Sequence, residues 1–332
     1  MNYKESKLIL EKIKKAKRIL VNCHRGPDPD CIGSALALRG VLINMSKAVD
    51  VICPSEKLYD NADFLDGYGE INKSVNFSKF DYKKYDLFIV LDSSSWDMVS
   101  SDFNIPVPDM EIAVIDHHFT NKYFGIINLV DKSASSVGEI LYRVFSDWKV
   151  SIDKNISTSL LTAIIGDTGI FKYPNSTVET FNSAYELMKA GADKNMIVAK
   201  LYKNYDFNLI KFWGEVLNNL VLEKENKFIY SAVPFSVFEK YGKPDIGKDT
   251  AVDLFAQVTK DTEFGFMALE TDKGIVSVSV RSRNDFDSSK IALELGGGGH
   301  KAASGARIEG LSFENALQKI LEVARKYAKK QN

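Results

Sequence analysis

Glu111-Ile112-Ala113-Val114-Ile115-Asp116-His117-His118 decides how this chain reads. A short apolar run that ends in consecutive ionisable groups is the pattern of a buried parallel strand whose C-terminal end opens onto a ligand. Two other runs end the same way, Ile19-Leu20-Val21-Asn22-Cys23-His24 and Asp86-Leu87-Phe88-Ile89-Val90-Leu91-Asp92. Helical patterns lie between and after them, notably Asp30 to Met45 and Ser135 to Trp148. Strands and helices therefore alternate, as in an α/β fold with a doubly wound, mostly parallel sheet. In such sheets the ligand crevice lies outside the carboxyl ends of the strands, so residues remote in sequence are expected to meet there.

The chain has 332 residues, which makes two domains the natural expectation. With 45% hydrophobic and 26% charged residues, each half can bury a core without disulfides or metal staples. The formal charge of -1 argues against coating long duplex nucleic acid, whose affinity comes from neutralising many phosphates. Cys23, Cys31 and Cys53 show no CxxC spacing, which points to a reduced, cytoplasmic setting. No apolar run approaches a membrane span, and Met1 to Lys7 opens a charged helical pattern, not a signal peptide.

From about Thr177 to Leu222 the pattern is helical and strand-free, including Phe181 to Ala190 and Asn208 to Leu220. Beyond it, strand-like runs Lys227 to Val233, Phe264 to Glu270 and Ile275 to Arg281 combine with helices near Asp287 to Leu295 and from Ser312 to Ala328. The expected division is residues 1–188 for an N-terminal α/β domain, 189–222 for a helical linker and 223–332 for a smaller α/β domain.

All four histidines sit in Asp- or Gly-rich clusters. Imidazole and carboxylate together suit manganese and related divalent ions. His24, Asp28 and Asp30 fall within seven residues, at a strand end and the start of a helix. Such a loop can send its side chains to adjacent ions, or the aspartates can simply cap the helix. Asp92 ends an apolar strand; it can bridge two ions or bond the amides of Ser93-Ser94-Ser95. Asp116-His117-His118 is more specific. Adjacent residues leaving a strand point different ways, so one imidazole can face a metal and its neighbour a substrate, while Asp116 fixes a tautomer. Asp167, in Gly166-Asp167-Thr168-Gly169, reads equally as a ligand or as part of a helix C-terminal turn. Glu139 and Glu179 read as solvated helix faces.

Taken together these clusters resemble the DHH phosphoesterase superfamily, in the family order of motifs and over nearly the whole chain. The resemblance implies two Mn2+ ions, with Mg2+ or Co2+ as substitutes. One would take His24, Asp28 and Asp92, the other Asp30, Asp92, His117 and Asp167. His118 would face the scissile phosphate, with Asp116 behind it as the second catalytic residue. Pro29 stands where the family usually has glycine, which restricts Asp28 to extended backbone angles. In the second half, Gly296-Gly297-Gly298-Gly299-His300-Lys301-Ala302-Ala303-Ser304-Gly305 is similar to the signature of the DHH-associated domain. There Gly297, Gly298 and Gly299 would let amides nest around a phosphate, with His300, Lys301 and Arg281 as charged donors and Arg283 as surface charge.

With both domains on one chain, the sequence is most similar to the NrnA-like group, nanoRNases that degrade very short RNA and dephosphorylate 3'-phosphoadenosine 5'-phosphate (pAp). The resemblance implies in-line attack of water on phosphorus with help from the ions, His118 serving the departing oxygen. Expected partners are short single-stranded RNA, dinucleotides and pAp, with no long duplex and no membrane; the family allows a homodimer. The competing readings are a cyclic-dinucleotide (c-di-AMP) or linear-dinucleotide phosphodiesterase on the same fold, and a nucleotide-binding metal sensor without activity. Inorganic pyrophosphatase relatives carry a different second domain, and exonucleases of long single strands need further binding domains and a basic channel.

Overall fold

The computed structural model describes residues 2–244, 251–299 and 301–328. The chain divides into two compact units, Met1–Asn204 and Tyr205–Asn332.

Unit 1 is built on five strands, β1 (Arg18–Asn22), β2 (Ala48–Ile52), β3 (Leu87–Leu91), β4 (Ile112–Asp116) and β5 (Ile127–Val130). All pair in parallel, in the order β2-β1-β3-β4-β5. Parallel strands need cover on both faces, and strand residues alternate between them. Ile19, Val21, Leu87, Ile89, Leu91, Ala113 and Ile115 face the larger core, which helices cover. Leu20, Phe88, Val90, Ile112 and Val114 face a smaller core capped by Trp96, Val99 and Phe77. The chain runs from β1 out to the edge strand β2 and returns across β1 to β3, so winding reverses between β1 and β3. That reversal opens a crevice at their carboxyl ends.

The helices of unit 1 are α1 (Lys4–Lys15), α2 (Pro29–Asn44), α3 (Trp96–Ser100), α4 (Val137–Trp148), α5 (Lys154–Asp167), α6 (Val178–Lys189) and α7 (Lys194–Tyr202). Three of them approach unusually closely because glycine stands at the crossings. A Cβ on Gly33 of α2 would lie 2.4 Å from the Ser159 carbonyl, one on Gly138 of α4 2.4 Å from the Ala163 Cβ, and one on Gly166 of α5 2.7 Å from the Pro29 Cβ. The helix ends that carry acidic side chains are thereby drawn together.

Unit 2 contains α8 (Phe207–Asn218), α9 (Phe235–Lys240), the helices Ser289–Glu294 and Phe313–Ala328, and a six-stranded mixed sheet. Its strands are β6 (Leu220–Glu223), β7 (Phe228–Val233), β8 (Phe264–Asp272), β9 (Ile275–Ser282), β10 (Gly298–Gly299) and β11 (Ala303–Glu309), in the order β10-β11-β9-β8-β7-β6. One face packs Phe228, Phe264, Phe266 and Val278 against the two C-terminal helices. The other packs Ile229, Val233 and Met267 against Phe212 and Trp213 of α8.

The strand-free reading of the segment up to Leu222 is corrected: Leu220–Glu223 pairs antiparallel with β7. The segment 189–222 does not run as a separate linker in the structure. Ile197 and Leu201 of α7 bury in the core of unit 1, and Leu209, Phe212 and Val216 of α8 bury in that of unit 2. Apolar helix faces seek the nearest core, which leaves only the few residues around 203–206 between the units. No helix among the described residues is long and apolar enough to cross a membrane.

Candidate metal centre

Five segments deliver ionisable groups to the crevice. His24 leaves β1, Asp28 and Asp30 start α2, Asp92 leaves β3, Asp116 to His118 end β4 and Asp167 ends α5. His24, Asp28, Asp92, His117, His118 and Asp167 line a cavity of about 170 Å³, joined by Ser94 and Met98.

Asp92 is the hub. Its Oδ2 lies 3.3 Å from His24 Nε2, and its Oδ1 lies 3.6 Å from both His117 Nε2 and His118 Nδ1. It is almost fully buried, and among the described residues its Oδ1 has no hydrogen-bond partner. Its backbone is left-handed, with φ of 51°, a strained setting for a residue with a side chain. Burial opposes ionisation here, but His24, His117 and His118 outweigh it and hold the carboxyl at about 2.

Asp28 caps α2 by accepting from Cys31 N at 2.9 Å, and its extended backbone, φ -103° and ψ -177°, is the one Pro29 imposes. It still lines the cavity, so capping and facing the site are compatible. Asp30 is held at the start of α4, where its oxygens accept from Val137 N at 2.7 Å and Gly138 N at 3.0 Å, and Ser34 Oγ adds a third bond. Its Oδ2 is 3.9 Å from His117 Nε2, whose other neighbour is Asp167 Oδ2 at 3.2 Å. Burial and then Asp92 push the Asp30 carboxyl up to about 7. Burial, followed by Asp30, Asp28 and Asp92, raises Asp167 well above the usual carboxylate range.

His118 Nδ1 donates to Asp116 Oδ1 at 2.7 Å, which turns Nε2 the other way. Asp116 is itself held by Asn121 Nδ2 at 2.6 Å. The bond to Asp116 is the largest cause of a raised His118 pKa.

Groups of ligand atoms lie within 4.8 Å of one another in the sets Asp92–His117–His118, Asp30–His117–Asp167 and His24–Cys31–Asp92. Three carboxylates lining one pocket, with Asp30 buried close by, repel one another, and a buried anionic oxygen without a donor lacks compensation. A divalent cation supplies both needs, so the residues present fit a metal centre.

Sequence reasoning missed three contributors. Asn22 donates to the Leu91 carbonyl at 3.3 Å and accepts from Leu91 N at 2.8 Å, clamping β1 to β3 at the crevice. Asn121 orients Asp116, and Cys31 Sγ accepts from His24 N at 3.2 Å. A lone amide within or just after an apolar run was the available signal. The solvated-face reading of Glu139 is corrected: it is fully buried and accepts from Ser135, Thr180 Oγ1 and Arg143, whereas Glu179 is exposed.

In unit 2 the glycine run makes a hairpin: Gly298 pairs with Gly305 and Gly299 with Ser304. A Cβ on Gly297 would sit 2.1 Å from the Gly305 carbonyl, so here glycine is required by strand packing. Arg281 lies on the adjacent β9, opposite Ala303, and its Nε donates to Asp253 at 2.8 Å. Lys301 Nζ donates to Asp285 at 2.9 Å, and Arg283 to the Thr262 carbonyl. His300 lies outside the described residues.

A parallel sheet with this aspartate and histidine cage at its switch point, joined to a mixed-sheet unit with a glycine hairpin, defines the class. Residues 18–164 of the chain match the DHH family N-terminal domain and residues 225–330 the DHHA1 domain, so the chain carries a DHH and a DHHA1 domain. It is 28% identical over 97% of its length to a Thermus thermophilus protein named bifunctional oligoribonuclease and PAP phosphatase NrnA, of which it covers 94%. It is 26% identical to a Bacillus subtilis cyclic-di-AMP phosphodiesterase, GdpP, over 97% of this chain and 50% of that one. The crystal structure of an exopolyphosphatase-related protein from Bacteroides fragilis superposes with a TM-score of 0.90 at 25% identity, covering 98% of this chain and 96% of that chain.

Proposed function

We propose that the chain is a two-metal phosphoesterase that hydrolyses very short RNA to 5'-mononucleotides and pAp to AMP and phosphate. The observation that carries this reading is the buried Asp92 Oδ1, without a donor among the described residues and facing two imidazoles. On this reading His24, Asp28 and Asp92 would hold one Mn2+ and Asp30, Asp92, His117 and Asp167 the other, with Mg2+ or Co2+ as substitutes.

The bound ions would supply Lewis acidity to phosphoryl oxygens and acidify water. The chain's own groups do the rest. Asp30, tied to the α4 amides, and Asp92, fixed in its left-handed turn, keep the cage from collapsing when charge changes. His118, anchored through Nδ1 on Asp116 and with its pKa raised, presents Nε2–H as a charged donor to the departing oxygen. Asn121 keeps Asp116 aligned by donating to its other oxygen. In unit 2, Arg281, His300, Lys301 and Gly297 to Gly299 bind the nucleotide. The relative named as an oligoribonuclease and PAP phosphatase, covered nearly end to end, supports the substrate class. The similarity to a cyclic-di-AMP phosphodiesterase favours that ligand as the second reading.

The test is to strip the purified protein of metal, restore Mn2+, and compare turnover of pAp, a 5'-phosphorylated RNA dinucleotide, an RNA of roughly 20 nucleotides and c-di-AMP. The proposal expects pAp and the dinucleotide to lead. A lead by c-di-AMP selects the second reading, and no turnover of any substrate overturns both. His300→Ala is expected to raise KM with little change in kcat.

A further inference from the structure

Beside the metal cavity, on unit 1, two cations converge on one carboxylate. Arg25 Nη2 lies 3.7 Å from Asp97 Oδ2, and Lys122 Nζ lies 4.0 Å from Asp97 Oδ1. Both contacts are loose, and the Lys122 side chain is 69% exposed. Two positive charges facing one negative charge leave a net positive spot. Its place in the fold is fixed by the backbone: Arg25 N donates to the Met98 carbonyl and Lys122 N to the Ser94 carbonyl, at 2.9 and 2.8 Å. Met98 and Ser94 themselves line the cavity with the metal-site residues. Beneath Arg25 lies the ring of Phe103, 5.7 Å from the guanidinium carbon. That ring is 77% exposed, an unusual setting for phenylalanine unless something covers it.

Resting on the phosphoesterase reading, we propose that Arg25 and Lys122 form a subsite for the second phosphate of the substrate, the one next to the phosphate being hydrolysed, with Phe103 as a platform for the attached base. A phosphate between them replaces long contacts to Asp97 with charge-assisted bonds, and an exposed ring with a guanidinium over it is the combination on which single-stranded bases stack. Asp97 is a positioning residue. It keeps both side chains over the cavity rim when no ligand is there, and it competes with the incoming phosphate. The subsite selects substrates that carry two phosphates in sequence, as pAp and dinucleotides do, over those with one.

The test compares a 5'-phosphorylated RNA dinucleotide with bis-p-nitrophenyl phosphate, which has a single phosphate, on the Mn2+-loaded full chain. The readout is the ratio of the two kcat/KM values. Arg25→Gln and Lys122→Gln are each expected to lower that ratio about tenfold through KM for the dinucleotide, the loss of one charge-assisted contact. The salt dependence of that KM should weaken by roughly one phosphate contact for each. Asp97→Asn is expected to move the ratio the opposite way, because it releases both cations. Phe103→Ala should lower it without altering the salt dependence. A ratio unchanged in Arg25→Gln and Lys122→Gln, or lowered in Asp97→Asn, overturns the subsite. Failure of the wild-type chain to cleave either compound overturns the phosphoesterase reading itself.

Discussion

Asp92 concentrates the chemistry of the centre in one side chain, since its two oxygens reach the imidazoles of three histidines. Its left-handed backbone separates two substitutions that both remove the charge. Asparagine tolerates that conformation and alanine does not, so in chelator Asp92→Asn should be more stable than Asp92→Ala by about 1 kcal/mol in urea unfolding. Both should lose the rise in melting temperature that Mn2+ is expected to give the wild type. The metal-free cage also fixes the sign of a pH effect. Asp30 is pushed up to about 7 from an ordinary 3.8, and Asp167 and Asp28 are raised too, so the folded state holds protons that the unfolded chain releases from about pH 4 upward. The imidazoles of His117 and His118 are raised above 6.5, so their stabilising contribution is likewise lost as pH rises. Asp92 acts in the opposite sense, but only below pH 3.8. Melting curves in chelator should therefore fall from about pH 5 to about pH 8, and Mn2+ should stabilise more at the higher pH because it displaces those protons. A melting temperature that climbs across that window would contradict this electrostatic account.

At the scale of elements, the centre depends on how closely α2, α4 and α5 approach and on how β1 is locked to β3. Gly166→Ala places a methyl against Pro29, between the two aspartates of α2, and Gly33→Ala places one against a backbone carbonyl. Each is expected to cost about 1–3 kcal/mol in chemical denaturation, and Gly166→Ala to weaken Mn2+ binding as well, because it pushes Asp30 and Asp167 apart. Asn22→Leu leaves Leu91 N–H without its side-chain acceptor and should cost about 1–3 kcal/mol. These contacts mark where the sequence stops being legible. β1, β3, β4 and α2 could be read because uninterrupted apolar runs ending in ionisable groups have few alternatives. β2 and β5 are short, with Asp50 and Asn128 in the middle and much of their length half-buried, so periodicity hardly distinguishes them from loops. β11 hides in a stretch whose glycines draw the eye to ligand binding, although Gly297 and Gly299 are required by hairpin packing. The ligand types at strand ends were legible for the same reason as the strands. The tethering of Asp30 to α4, the Asn22 clamp and the burial of Glu139 were not, since each depends on a partner brought close only by the fold.

Across the whole molecule, each unit has its own sheet and its own cores, and the cluster of aspartates and histidines belongs to the first. Loading Mn2+ should slow hydrogen exchange in residues 22–34, 91–95, 116–121 and 165–169, and leave the amides of β7, β8 and β9 unchanged. In the proposed centre, carboxylates and imidazoles from five segments would enclose a pair of ions that share Asp92. The most direct measurement is the Mn2+ content of dialysed protein by elemental analysis, paired with its electron paramagnetic resonance spectrum. The expected result is two ions per wild-type chain with a spin-coupled signal, and loss of that coupling in Asp92→Ala. One uncoupled ion or none in the wild type, or an intact coupled pair in Asp92→Ala, would contradict the shared cage.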